Sequence, residues 1–146
     1  MTLRPASAAL AITLLLTACG GGPVRKVHPS TLSIQQLAVQ PDGSWKITLR
    51  IENFSTFPMH YSALDAKLSV DGKPAGEIHA QPDMDIVGNN GDVVEARLVT
   101  AVKLPSGGEF AYQLKGTIAT SEPKERFDFD KSSRLSPVPG VANTYR

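Results

Sequence analysis

The sequence predicts an all-β fold, two antiparallel sheets packed as a sandwich, on three observations. Apolar and polar residues alternate with a period of two over most of the chain, Asp-Gly pairs separate the alternating runs, and no amphipathic helical pattern of useful length occurs. At 146 residues, with 41% apolar and 20% charged, the chain has the size and composition of one globular domain. Such a domain hides roughly two thirds of the surface its unfolded chain exposes, so burial holds it together without metal or cross-links. An intrachain disulfide is excluded in any case, because Cys19 is the single cysteine.

The first strand is expected over Leu32, Ile34, Leu37 and Val39, where a change of phase places a β-bulge near Gln35 and Gln36. Asp42 and Gly43 turn the chain into the clearest strand, in which Trp45, Ile47, Leu49 and Ile51 face the core and Lys46, Thr48 and Arg50 face water. Leu64, Ala66, Leu68 and Val70 form the inner face of the next strand, and Asp71 and Gly72 reverse it into a short strand from Ala75 to Ala80. The run from Val93 to Val102 is apolar on both sides in places and reads as a more covered strand, in which Glu95 and Arg97 need solvent or each other. After the turn at Pro105, Ser106, Gly107 and Gly108, a strand carries Phe110, Tyr112, Leu114 and Ile118 on one face. A last strand carries Phe127 and Phe129 between Arg126, Asp128 and Asp130. About seven strands at this spacing predict a sandwich of the immunoglobulin or fibronectin type III kind over residues 30–135.

The flanks read differently. Residues 1–18 combine Arg4 with the apolar run ASAALAITLLLTA, too short to span a hydrocarbon core that needs about 20 residues, and three glycines follow Cys19. Leu16, Thr17, Ala18 and Cys19 resemble the bacterial lipobox. That resemblance implies cleavage before Cys19 and lipidation of its sulfur and new amino group, a membrane anchor with several acyl chains. Gly20 after the cysteine resembles the outer-membrane default, so the expected location is the cell envelope, on the outer membrane facing the periplasm. Residues 19–29 (CGGGPVRKVHP) are expected to be the lipidated cysteine and a flexible tether; its ten residues after Cys19 reach at most about 35 Å. Arg25 and Lys26 are read as solvated, with anionic head groups as the alternative partner. Residues 136–146 (SPVPGVANTYR) are expected to be loose or edge-covering chain.

The chain carries 15 basic and 14 acidic residues; loss of Arg4 with the leader leaves the mature part neutral, which argues against nucleic acid as a partner. His28, His60 and His79 have no metal-ligand spacing. Asp83, Asp85, Asn89, Asn90 and Asp92 offer oxygen ligands suited to calcium, but not at the offsets of an EF-hand loop, and a polar turn is expected instead. No nucleophile motif or phosphate loop is present, and Asp128 and Asp130, two apart on a strand, share its outward face. Catalytic residues, metal ligands and cofactors are therefore all expected to be absent. Residues 53–61 (NFSTFPMHY) break the alternation with Phe54, Phe57, Met59 and Tyr61, read as a cap on the end of the sandwich, with an exposed adhesive patch as the alternative.

The stretch from Leu37 through Trp45, then Arg50, Ile51, Glu52 and Asn53, Phe57 and Pro58, Tyr61, Leu64, Val70, Asp71 and Gly72, resembles the group 2 late embryogenesis abundant (LEA14-like) proteins. Their domain is also named WHy, for water stress and hypersensitive response. Tyr112, Leu114, Gly116, Phe127 and Phe129 continue the likeness, which covers residues 30–135; where the family has a short Asn-Pro-Asn signature, this chain has Asn53, Phe54 and Ser55. The resemblance implies a compact β-sandwich with a non-catalytic role in tolerance of drying, cold or related stress. The expectation is a membrane-anchored stress-protection lipoprotein acting through contacts with envelope proteins or lipids. An envelope module that carries a lipid or other apolar ligand, and a structural adaptor, are the alternatives.

Overall fold

The alternating runs become nine strands in the computed structural model, which describes residues 20–146. They are β1 (Thr31–Val39), β2 (Trp45–Asn53), β3 (Met59–Val70), β4 (Lys73–Ala80), β5 (Met84–Ile86), β6 (Asn90–Leu98), β7 (Phe110–Glu122), β8 (Lys124–Leu135) and β9 (Thr144–Tyr145). One sheet has the order β6-β2-β1-β9; the other has the order β4-β3-β7-β8, with β5 beside β3. Every pairing is antiparallel. Seven strands are long and correspond to the seven expected; β5 and β9, of three and two residues, are too short to leave a pattern in the sequence.

The inner faces meet in a core of 25 buried apolar residues running from Leu32 to Tyr145, so every layer of the interior comes from the domain itself. Trp45, Ile47, Leu49 and Ile51 are all in it, as are Leu64, Ala66, Leu68 and Val70. The expected bulge lies between Ile34 and Gln36 of β1. There the Ile34 N–H donates to the Tyr112 hydroxyl of the facing sheet at 3.1 Å, so the bulge also ties the sheets together. Burial pushes the Tyr112 and Tyr61 hydroxyls up from their ordinary pKa, and Tyr61 shares a 2.6 Å hydrogen bond with Ser30.

Turns follow the sequence closely. Asp71 and Gly72, with φ of 46° and 77°, make a two-residue hairpin loop of the I′ kind, and the Asp71 carboxylate accepts from the Ala111 N–H at 2.9 Å. Asp42 accepts from the Ser44 hydroxyl at 2.6 Å and from the Ser44 N–H at 2.9 Å, which closes the β1–β2 turn.

Three expectations are corrected. The strand expected over 93–102 spans Asn90–Leu98 and is an edge strand: Val93 is 37% and Val99 81% exposed. Its Glu95 and Arg97 find solvent, as one of the two readings had it, and pair at the surface with Lys46 and Asp42 and not with each other. The C-terminal residues are not loose; of the two readings the edge-covering one holds. β9 adds to the edge of β1, Ser136 and Arg146 exchange two backbone hydrogen bonds, and Tyr145 is buried with its ring edge-on to Phe110 at 5.1 Å. The apolar Met59 and Tyr61 belong to β3, whose irregular register between His60 and Ala63 shifts them out of phase with Leu64 and Ala66.

The registers define two ends. The base gathers the start of β1, the β2–β3 and β5–β6 loops and the β7–β8 turn; the crown gathers the two Asp-Gly turns, the β6–β7 loop and the C-terminal segment.

Candidate functional site

The one site residue the sequence singles out, Cys19, lies outside the described residues, as does the leader; the chain enters the described part at the base. The base is built around two buried polar side chains. Asn53 ends β2 and donates from Nδ2 to the carbonyls of Phe57 at 3.0 Å and Ile86 at 2.9 Å, with Val87 O at 3.3 Å. Its Oδ1 accepts from the Ser55 N–H at 2.9 Å. One amide side chain thus joins the β2–β3 loop to the end of β5 and the start of the β5–β6 loop. The backbones of the two loops touch: a Cβ on Gly88 would lie 2.5 Å from Phe57 N, so only glycine fits.

Ser55 carries the second joint. Its hydroxyl accepts from the His28 N–H at 2.9 Å and donates to the His28 carbonyl at 3.3 Å. Thr56 continues the seam. Its hydroxyl accepts from Lys26 N–H at 2.9 Å and donates to Val24 O at 2.8 Å, while its own N–H donates to Lys26 O at 3.1 Å. The Arg25 guanidinium stacks 4.3 Å from the centre of the Phe57 ring. The segment expected as a flexible tether up to residue 29 is therefore fastened to the β2–β3 loop from Val24 onward. Backbone-to-hydroxyl bonds between segments some thirty residues apart leave no periodic mark, which is why the sequence reading missed Ser55 and Thr56. The Asn-x-Ser spacing, suited to a side chain that bonds its own backbone two residues on, was the available signal.

The two readings of residues 53–61 each describe part of it. Met59 and Tyr61 are buried, Phe57 packs partly buried against the core, and Phe54 stands 49% exposed between the buried Asn53 and Ser55. Three of the four large groups close the base and one faces outward.

Elsewhere the titratable side chains form surface pairs. His60 bonds Asp85 at 2.8 Å and Asp83 at 3.0 Å, and Asp85 first, then Asp83, holds its pKa above the ordinary histidine value. His79 bonds Asp65 at 2.6 Å, with Glu77 at 3.5 Å, and is raised in the same sense, mainly by Asp65. No hydroxyl or thiol is hydrogen-bonded to either ring among the described residues, so neither is set up to activate a nucleophile. The oxygen ligands of the 83–92 stretch do not converge: Asp83 and Asp85 flank His60, while Asn90 and Asp92 each accept from the N–H of the next residue. Among the described residues no group of three or more His, Asp or Glu side chains is arranged to hold a metal ion. Asp128 and Asp130 both point outward, Asp130 toward Gln113 and Lys115. An open depression of about 680 Å³ lies on the outer face of the second sheet over Gly116, rimmed by Asp65, Lys67, Glu77, His79, Lys115 and Asp128.

No family model and no curated protein matches the sequence. Solved structures do match the fold. The solution structure of AT1g01470 from Arabidopsis thaliana superposes with a TM-score of 0.50 over 82% of this chain and 84% of its own, at 8% identity. A structural-genomics target, SoR45, gives 0.46 at 12% identity over 78% of this chain and 91% of its own. A protein from Archaeoglobus fulgidus gives 0.42 at 12% identity over 77% and 98%. At 8% identity the likeness to the Arabidopsis protein establishes the fold alone.

Proposed function

We propose that this chain is a lipid-anchored, non-catalytic envelope protein of the LEA14-like or WHy kind that protects neighbouring envelope components when water is withdrawn. The anchor is Cys19 within its lipobox, and the site of action is the membrane surface, the outer membrane facing the periplasm. The observation that carries the reading is the filled interior under a surface of mixed charge. Trp45, Tyr61, Phe110 and the aliphatic side chains around them occupy the space between the sheets that a lipid carrier would need as a chamber. Outside, charges of both signs interleave, as in Lys46 with Glu95, Lys67 with Glu77 and Arg134 with Glu109. Such a surface stays soluble and makes many weak polar contacts, replacing water at other polar surfaces. An adaptor that recruits a partner strand is disfavoured by the edges. β8 carries Lys124, Glu125, Arg126, Asp128, Asp130, Lys131 and Arg134, the charge pattern that blocks edge pairing.

The test is survival. Deletion should lower recovery after graded drying or freezing and leave growth in wet, rich medium nearly normal. Complementation with a Cys19→Ser form, exported at equal abundance behind an ordinary cleavable signal, should protect less than the wild type. Equal survival of deletion and wild type across the drying series would overturn the protective role.

A further inference from the structure

We propose that the base of the sandwich is a bilayer-facing surface, with Val24 and Val27 of the N-terminal segment, Phe54 of the β2–β3 loop and Val87 of the β5–β6 loop set to enter the boundary between lipid head groups and acyl chains. Four of the seven large apolar side chains exposed among the described residues are these four, at 69%, 42%, 49% and 53% exposure. Scattered exposed valines need no explanation; their concentration at one end does. They belong to three segments bound to one another, through Thr56 to Val24 and Lys26, Ser55 to His28, and Asn53 to Ile86 and Val87.

Phe54 is the informative member. Its neighbours Asn53 and Ser55 are both fully buried and hydrogen-bonded, so the backbone between them is fixed and the ring is held outward. An aromatic side chain presented to water by a rigid loop is arranged for a partner, because the ordering cost of binding has already been met.

The occupant is argued from where the chain leaves. Fastening of the N-terminal segment begins at Val24, so only residues 20–23 separate this surface from Cys19, a reach of about 14 Å at full extension. A lipid on Cys19 therefore holds the base, and not the crown, against the membrane; for this step the inference rests on the proposed anchor. Charge is mixed at the base, with Arg25 and Lys26 offset by Asp85 and Glu122. Contact is thus through apolar insertion and should differ little between neutral and anionic vesicles.

The lipidated protein in vesicles of phosphatidylethanolamine and phosphatidylglycerol, with and without brominated acyl chains, gives the measurement. Trp45, the single tryptophan, is buried at the crown and serves as the internal blank. Phe54→Trp and Val87→Trp should add fluorescence that brominated lipid quenches several-fold more than that added by Val99→Trp at the crown. Equal quenching at the three positions, with Cys19 labelled by a palmitate analogue, overturns the surface and leaves the anchor standing. A second arm uses the exported Cys19→Ser chain. It should float weakly with the same vesicles, and Phe54→Ser should lower that binding about tenfold or more. If Cys19 takes no label yet the unanchored chain binds and loses binding with Phe54→Ser, the anchor fails and the surface stands. Self-association lost in Phe54→Ser without any lipid quenching would assign the base to a second copy of the chain and overturn the proposal.

Discussion

The two ends of the sandwich close by different chemistry. At the crown, backbone conformation and aromatic bulk do the work: two Asp-Gly turns with positive-φ glycines reverse the strands, and Trp45, Phe110 and Tyr145 plug the gap between the sheets. At the base no tight turn joins the sheets through β2 and β3 or β5 and β6. Asn53 and Ser55 take that place, buried side chains that bond backbones from three segments. An apolar plug is non-directional and tolerates small shifts, whereas a buried amide holds its loops through bonds that weaken steeply with distance and angle. The end with the directional joints is also the end that presents Phe54 and Val87 to the outside. Rigid polar joints beneath outward apolar groups make a surface; an aromatic plug beneath turns makes a lid.

The largest effect expected from breaking this contrast is at the crown. Trp45→Ala removes a side chain that is 1% exposed and should cost about 3 to 5 kcal/mol, read as a fall in the denaturation midpoint. An unchanged midpoint would mean that the ring does not carry the closure assigned to it. At the base, Asn53→Ala leaves the Phe57 and Ile86 carbonyls and the Ser55 N–H without partners. It should cost about 2 to 4 kcal/mol, since a buried polar group left unsatisfied costs about 1 to 3 and water regains the part-buried Phe57 carbonyl. The nature of that loss separates the ends. Asn53→Asp keeps the bond to Ser55 but sets a carboxylate against the carbonyl oxygens of Phe57, Ile86 and Val87, so it should be at least as damaging despite its near-identical shape. In both Asn53 variants the backbone amides of Lys26 and His28 should lose hydrogen-exchange protection, and in Trp45→Ala they should keep it. Being at opposite ends, the Trp45 and Asn53 changes should add to within about 0.5 kcal/mol in the double variant. A larger coupling would show that the base and the crown do not close independently.

Most of the crown was legible in the sequence and most of the base was not, for a physical reason. Alternation and Asp-Gly pairs are local signals, and they located β2, the inner face of β3, both turns and, through a slip of phase, the bulge of β1. The slip near Ser62 in β3 carries the same kind of information. It stayed hidden because Ser62 and Ala63 are neither clearly inner nor outer residues, so Met59 and Tyr61 read as loop. β6 was misplaced because alternation reports faces and not neighbours: an edge strand and a covered one look alike when both carry valines. Asn53 was visible as part of a family likeness, but its role as the joint of two loops depends on Ile86 and Val87, more than thirty residues away. Cys19 is the reverse case, singled out by its neighbours in sequence and lying outside the described residues.

The smallest effects come from pH, and they move the two ends in opposite directions. At the base, Asp85 and Asp83 raise the His60 pKa above its unfolded value of 6.5. The folded state therefore holds this proton more tightly than the unfolded chain does. Its contribution is complete below pH 6.5 and is lost as pH rises through the folded pKa. At the crown, Asp42 is held below its unfolded value of 3.8, first by the Ser44 hydroxyl and then by the Ser44 amide and Arg97. Glu109 is held below 4.5, chiefly by Arg134. For these carboxylates the contribution is present above the unfolded pKa and is lost as pH falls through the folded one. All three groups meet solvent, so each effect is small and should shrink in high salt. Denaturation curves of the wild type and His60→Gln should differ most below pH 6.5 and converge above the folded pKa. Those of the wild type and Asp42→Asn should differ above pH 3.8 and converge in stronger acid. A His60→Gln difference that persists unchanged to high pH would mean that the ring acts by packing alone, and that its two aspartates add nothing to the closure of the base.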